Sequence, residues 1–412
     1  MADEQLLDKI RSLSDLELAT LLCLVAREHC LIGTLPDYVD ELAEELCLVA
    51  SKTFNLTPAI INCHSHATLD EFATGLLVPQ PARGGPPSPT HTRSASPYHL
   101  RHEPSSTTGG PSSSGGSYFP SPAPPSRPGA FSPRIGPAAI IPSSPSTTTH
   151  QPVQQPQIAN FILAKNLHLA PRAVQIQALE LLRTRRIFTR TSVQTAPKQF
   201  LFIAIIGAPS PTQARVTPHL NDFFYLSHWH DAEKDGLDHL DAEHSRPDDN
   251  ISVASSDSII KRSSSGLGPL PDHEPAPQPH MTEDDISLLS QLTTLACVDV
   301  DVLRYQMNVV SHLRIHRAVV GGVTPQATRC LGYLCKSLAA LHGLGFVTAS
   351  LVGLAVRKVY GHRIVMVWEG GMMERERSVQ WGSEGEAVGV VMGGWGVEEV
   401  VEDVLGMVGV PA

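Results

Sequence analysis

Apolar residues gather in three separated blocks of the chain, and their spacing differs from block to block. Over residues 13–28 they recur three and four positions apart, the pattern of an amphipathic helix. An apolar run at 29–33 follows, then a helical pattern over 38–54 and another apolar run at 59–63. Strand, loop, helix and strand at this spacing predict a βαβ unit. Residues 157–231 repeat the alternation, with strands expected at 158–164 and 199–206 around a helix at 171–184. Near-continuous apolar strands are those covered on both faces. The fold class predicted is therefore α/β, a parallel sheet sandwiched by helices. The third block, 281–363, reads as all helical, with helices at 282–296, 300–317, 325–341 and 349–360. Thr282 and Asp285 have capping-box spacing, and Pro325 follows Thr324 at a first helical turn. In the tail, 364–412, the residues Val397, Val400, Val401, Val404, Leu405 and Val408 form a helical stripe over 397–408, read as packing on the helical block.

Between the blocks the pattern stops. Residues 80–156 are crowded with Pro, Ser, Thr and Gly, and residues 232–280 are acidic, then Ser-rich. Neither stretch carries enough apolar surface to offset its ordering entropy, and both exceed the ~15 residues usual for an ordered loop. Both are expected to be disordered linkers. Ser94, Ser96, Ser263, Ser264 and Ser265 have flanks suited to phosphorylation, although ordinary Ser-rich linker is the stronger reading. The 412 residues carry a net charge of −10, so no overall field draws the chain to nucleic acid or to an anionic membrane. Seven cysteines occur without a CxxC pair and mostly inside apolar runs, which points to reduced thiols. No apolar stretch reaches the ~18 residues of a membrane span, and the polar, acidic start resembles no targeting signal. The expected location is cytoplasmic or nuclear, without membrane or nucleic-acid partners.

A P-loop has the form GxxxxGK[ST] between strand and helix: backbone N–H groups cradle phosphate, the Lys neutralises it, and the hydroxyl holds Mg²⁺. The stretch Gly33-Thr34-Leu35-Pro36-Asp37-Tyr38-Val39-Asp40 has the right length and flanks. Only the first Gly matches. Tyr38 stands at the second, Val39 replaces the Lys and Asp40 the Ser/Thr. Asp37, Asp40 and Glu41 suit the helix dipole but would repel a triphosphate.

Further landmarks follow in order. ANFILAKNLHLAPRAVQIQALELL resembles the Walker B strand and following helix of the AAA+ family, nearest to the magnesium-chelatase I subunit and MoxR-type ATPases. Asn166, Ala170, Pro171, Val174, Gln175, Ala178, Leu179 and Glu180 fall on that family's pattern, but Ala164 and Lys165 stand where it has an Asp-Glu pair. KQFLFIAIIGA resembles the sensor-1 strand, with Gly207 or Ala208 near the polar sensor. RVTPHLNDFF resembles the LxDRF segment, with Phe223 in place of its arginine. GVTPQAT resembles the GxSPRA motif of the lid, with Gln326 in place of the sensor-2 arginine. The similarity covers about 13–79, 157–231 and 281–363, and the chain also resembles the magnesium-chelatase-like proteins of filamentous fungi, which share this disrupted form.

The resemblance implies an AAA+ core and helical lid, protein partners, and a homo- or hetero-oligomeric ring. Because phosphoryl transfer relies on positioning and charge, loss of all these groups implies no catalytic residues and no bound cofactor. The expected role is a scaffold or partner-binding subunit. The alternative is an ATP- and Mg²⁺-dependent chelatase-like or remodelling enzyme, in a mixed ring where another subunit supplies hydrolysis.

Two weaker candidates remain. Cys63, His64 and His66 could join His228, His230 and Asp231 around Zn²⁺ if the two strand ends were adjacent; ordinary strand-end histidines are the stronger reading. Arg183, Arg185, Arg186 and Arg190 form a basic hairpin, read equally as a partner contact or a solvated turn.

Overall fold

The computed structural model describes residues 4–78, 157–189, 192–244, 279–367 and 395–411. Helices α1 (Glu4–Arg11) and α2 (Asp15–Ala26) open the chain. Ser14 and Glu17 close a reciprocal capping box at the start of α2, and Arg27 ends it in the left-handed region. Strand β1 (Cys30–Thr34) runs through a 3₁₀ turn into α3 (Val39–Leu48), which widens into a π turn at Val49–Thr53. Strand β2 (Pro58–Asn62), helix α4 (Leu69–Gly75) and the short β3 (Leu77–Val78) complete the first block.

The chain re-enters at β4 (Gln157–Ile158), which pairs antiparallel with β3. The ends of the undescribed stretch 79–156 are thus held side by side, as suits an insertion. The strand expected at 158–164 is in fact two. It breaks at Ala159, whose N–H bonds to Leu76, and resumes as β5 (Phe161–Lys165) in the main sheet. Helix α5 (Arg172–Thr184), the hairpin β6 (Arg186–Phe188) and β7 (Val193–Thr195), strand β8 (Leu201–Gly207), helix α6 (Pro218–Phe223) and strand β9 (Leu226–Trp229) follow.

The five long strands form one parallel sheet in the order β2-β5-β8-β1-β9. Alternate residues of each strand face opposite layers. Ile32, Leu163, Ile203 and Ile205 join the core under α2 and α3, while Leu31, Ile162, Ala164 and Ala204 join that under α4, α5 and α6. This is the sandwiched parallel sheet that the apolar runs predict.

The stretch expected to be linker from 232 begins with structure instead. Two short helices form, α7 (Ala232–Asp235) and α8 (Asp238–His244), and α8 lies beside α3. Glu45, buried on α3, accepts the His239 and Leu240 N–H groups at 3.1 and 2.9 Å, which satisfies the exposed donors of the α8 start. The polar composition of 232–244 hid this because its partners are carboxylates on other elements. Residues 245–278, with Ser263, Ser264 and Ser265, and 79–156, with Ser94 and Ser96, lie outside the described residues.

The helical block comprises α9 (Glu283–Leu295), α10 (Val300–Ile315), α11 (Pro325–Leu341) and α12 (Ala349–Tyr360). The Thr282–Asp285 capping box and the Thr324 cap ahead of Pro325 are formed. The block is not purely helical: β10 (Val319–Gly321) pairs antiparallel with β11 (Val365–Met366). The expected tail helix is α13 (Val397–Met407), which buries Val397, Val400, Val401 and Val404 against α10 and α12. A single apolar cluster runs from one sheet face through α2 into these helices.

Candidate functional site

Ligands of open parallel sheets bind beyond the carboxyl ends of the strands. In this chain that edge is built by Thr34 at the end of β1, Lys165 at the end of β5 and Gly207 at the end of β8. The loop after β1 does not form an open cradle. It closes as a 3₁₀ turn, the Tyr38 N–H donating to Leu35 at 3.1 Å. Val39, at the lysine position, is buried against the end of β8; a Cβ built on Gly207 would lie 2.8 Å from its Cγ2. The Gly207 N–H is also engaged, donating to the Asn166 side chain at 3.1 Å. Asn166 is in the left-handed region, which Asn tolerates, and that conformation turns its amide back onto β8.

Asp40 and Lys165 meet. Lys165 Nζ lies 2.6 Å from Asp40 Oδ1, so the hydroxyl and Walker B acid positions hold an internal ion pair. Lys165 is mostly covered and Asp40 largely exposed. Ala164 is fully buried between Ile61 and Ala204 and faces the opposite layer. Gly33 is required by packing: a Cβ there would lie 2.8 Å from the Trp229 ring. Thus Gly33, Val39, Asp40, Ala164 and Lys165 gather at one sheet edge. The arrangement offers phosphate a valine, a closed turn and two carboxylates, Asp40 and Glu41, at a helix start.

Phe223 and Gln326 do not join them. Phe223 ends α6, just before β9 begins at Leu226, and so lies at the other edge of the sheet. Gln326 is near it, since its neighbour Thr324 donates to Asp222 at 2.6 Å. That edge holds a network the sequence did not reveal. Arg363, almost wholly buried, contacts Asp222 Oδ1 at 3.3 Å and donates to the carbonyls of Val359, Asp222 and Phe224. Burial pushes its pKa down, while nearby groups including Asp222 oppose the shift. Asn221 donates to the His362 carbonyl at 2.7 Å. The DFF segment therefore ties the sheet to the helical block. The sequence signal was the acid in that segment, but nothing marked Arg363 as its partner.

The two histidine clusters lie on opposite edges of the sheet. His64 and His66 follow β2, and His228 to Asp231 end β9, four strand spacings or about 19 Å apart. They cannot share an ion, and no cluster of three potential metal ligands occurs among the described residues. Burial, with Lys358 and His230 adding to it, pushes His228 down to about 3, so its ring is neutral. The basic hairpin is present as β6 and β7, with Phe188 and Val193 exposed on it; Arg190 lies outside the described residues. Arg185 is spent locally, donating to the Arg27 and Lys198 carbonyls. Cys23, Cys30, Cys63, Cys330 and Cys335 are buried free thiols, whereas Cys297 is exposed.

A candidate ATPase from Cytophaga hutchinsonii superposes over 99% of this chain and 94% of its own, with a TM-score of 0.56 and 11% identity. A full-length MCM homologue from Methanopyrus kandleri matches 88% of this chain and 62% of its own, at a TM-score of 0.40 and 10% identity, a likeness too slight to argue from. No family model and no curated protein matches the sequence. The fold is shared with the Cytophaga hutchinsonii protein: a parallel five-stranded α/β core with helices on both faces and a helical block. Among the described residues, no helix is long and apolar enough to cross a membrane.

Proposed function

We propose that this chain is a non-hydrolysing relative of the magnesium-chelatase I subunit and MoxR-type ATPases, acting as a scaffold or partner-binding subunit. The observation that supports this most is Val39 packed on Gly207, because it fills with hydrocarbon the place where a P-loop lysine would reach phosphate. The Asp40–Lys165 pair supports it further: a cation stands where the resemblance has its water-activating carboxylate, and Ala164 where it has the Mg²⁺ ligand. A triphosphate with Mg²⁺ does not fit these residues. The sheet and helical block are meanwhile well packed, so the frame is kept for something other than hydrolysis. Ring assembly with itself or with an active relative is the role such a frame suits.

Light scattering on the full chain, with and without ATP and Mg²⁺, tests this. The expected result is an assembly, of this chain or with a partner, whose mass does not depend on nucleotide. A strict monomer that no partner joins, or assembly only on adding ATP, would contradict it.

A further inference from the structure

A leucine-lined groove of about 410 Å³ separates the α1–α2 pair from α11 and α12. Ile10, Leu22, Leu226, Leu334 and Leu341 line it and are buried, and Leu354, 47% exposed, forms its lip. The volume falls in the range of roughly 300–1,000 Å³ that holds small ligands. It is too small for the ~10 Å cylinder of a helix to sink into.

One end of the groove is polar. There His228 and Lys358 line both the groove and a second cavity of about 420 Å³, whose wall includes Arg357, Glu398 and Glu402. Lys358 Nζ lies 2.9 Å from His228 Nδ1. An ammonium can only donate, so Nδ1 accepts and the proton of the neutral ring sits on Nε2. That Nε2 is buried and without a partner among the described residues. Lys358 has His228 as its bonded neighbour and, among the described residues, no carboxylate within ion-pair distance, whereas Lys9, Lys52 and Lys165 each meet one. On the rim, the Arg11 charge is engaged by Asp8 at 3.0 Å, and Asp15 stands on the α2 side. Lys358 is exposed at this polar end and has two donor hydrogens beyond the one given to His228, which a hydrocarbon alone would leave to water.

We propose that this groove binds a single-chain amphiphile with one carboxylate head, its chain among the leucines and its carboxylate accepting from Lys358 Nζ. The site is independent of the nucleotide edge and of the scaffold role.

Calorimetric titration of the full chain with decanoate and with 1-decanol tests it, urea midpoints confirming that each variant folds. Decanoate is expected to bind 1:1 and saturably. Lys358→Met should weaken decanoate about tenfold, the loss of one charge-assisted hydrogen bond, and leave decanol unchanged. Leu354→Glu, which places a like charge at the lip, should weaken decanoate too. The proposal is overturned if folded protein shows no saturable decanoate binding, if Lys358→Met weakens both ligands equally, or if Leu354→Glu has no effect. Binding of an acidic amphipathic peptide but not of decanoate would also overturn it, assigning the groove to a protein partner.

Discussion

Val39 and Gly207 show how one residue changes what a loop can do. Packing Val39 under β8 joins it to the apolar interior, and the Gly207 hydrogen accommodates its methyl group. Restoring the consensus there would therefore harm the fold before it helped phosphate. Val39→Lys is expected to cost about 2 kcal/mol or more, because an ammonium would be forced into a dry contact; the urea midpoint measures this. The Asp40–Lys165 pair behaves differently. Asp40 is largely exposed, so Asp40→Ala should change stability by no more than ~1 kcal/mol. Arg363→Ala stands at the other extreme. It strips the Asp222 carboxylate and four carbonyls, that of Tyr225 among them, of a buried donor, and about 3–5 kcal/mol of destabilisation is expected in the same assay. Val39 was legible as a substitution only once the later landmarks stood beside the loop. Arg363 was not legible, because a buried cation is defined by its distant partners.

At the scale of elements, the strands and long helices followed from apolar periodicity, since a sheet covered on both faces leaves continuous runs such as 201–207. The misses were elements held by polar or long-range contacts. Helix α8 has little apolar surface and depends on Glu45 at its start, on Lys52 for Glu243, and on the contact of His239 Nε2 with Glu17 at 3.1 Å. That contact makes α8 pH-sensitive. The hydrogen bond to Glu17 raises the His239 pKa, so its stabilisation is complete below the unfolded value near 6.5 and fades as pH rises through the folded one. Burial pushes Glu17 up, but hydrogen bonds from His239, Thr53 and the Ser14 backbone outweigh it and hold Glu17 at about 2. Its contribution is complete above the ordinary carboxylate value of 4.5 and is lost as pH falls toward 2. Amide exchange in α8 should therefore be slowest between about pH 4.5 and 6.5 relative to the sheet, after correction for intrinsic rates. His239→Ala should remove the change above that window. A flat profile in the parent chain would contradict this account.

For the molecule as a whole, the order of landmarks carried more than any single motif. Each is degenerate, yet together they pointed to a parallel α/β core with a helical block, the fold found; Phe223 and Gln326 are remote from Lys165 because α6 enters β9 at its amino end. Strand order could not be read from spacing, and for that reason the zinc pairing of His64 and His66 with His228 and His230 failed: β2 and β9 are the two edges of the sheet. The central claim is that this frame no longer grips nucleotide. Titration of the full chain with labelled ATP and Mg²⁺, with phosphate release followed in parallel, tests it most directly. The account predicts no saturable binding in the micromolar range and no release above the protein-free rate. Micromolar binding with steady phosphate release would contradict it.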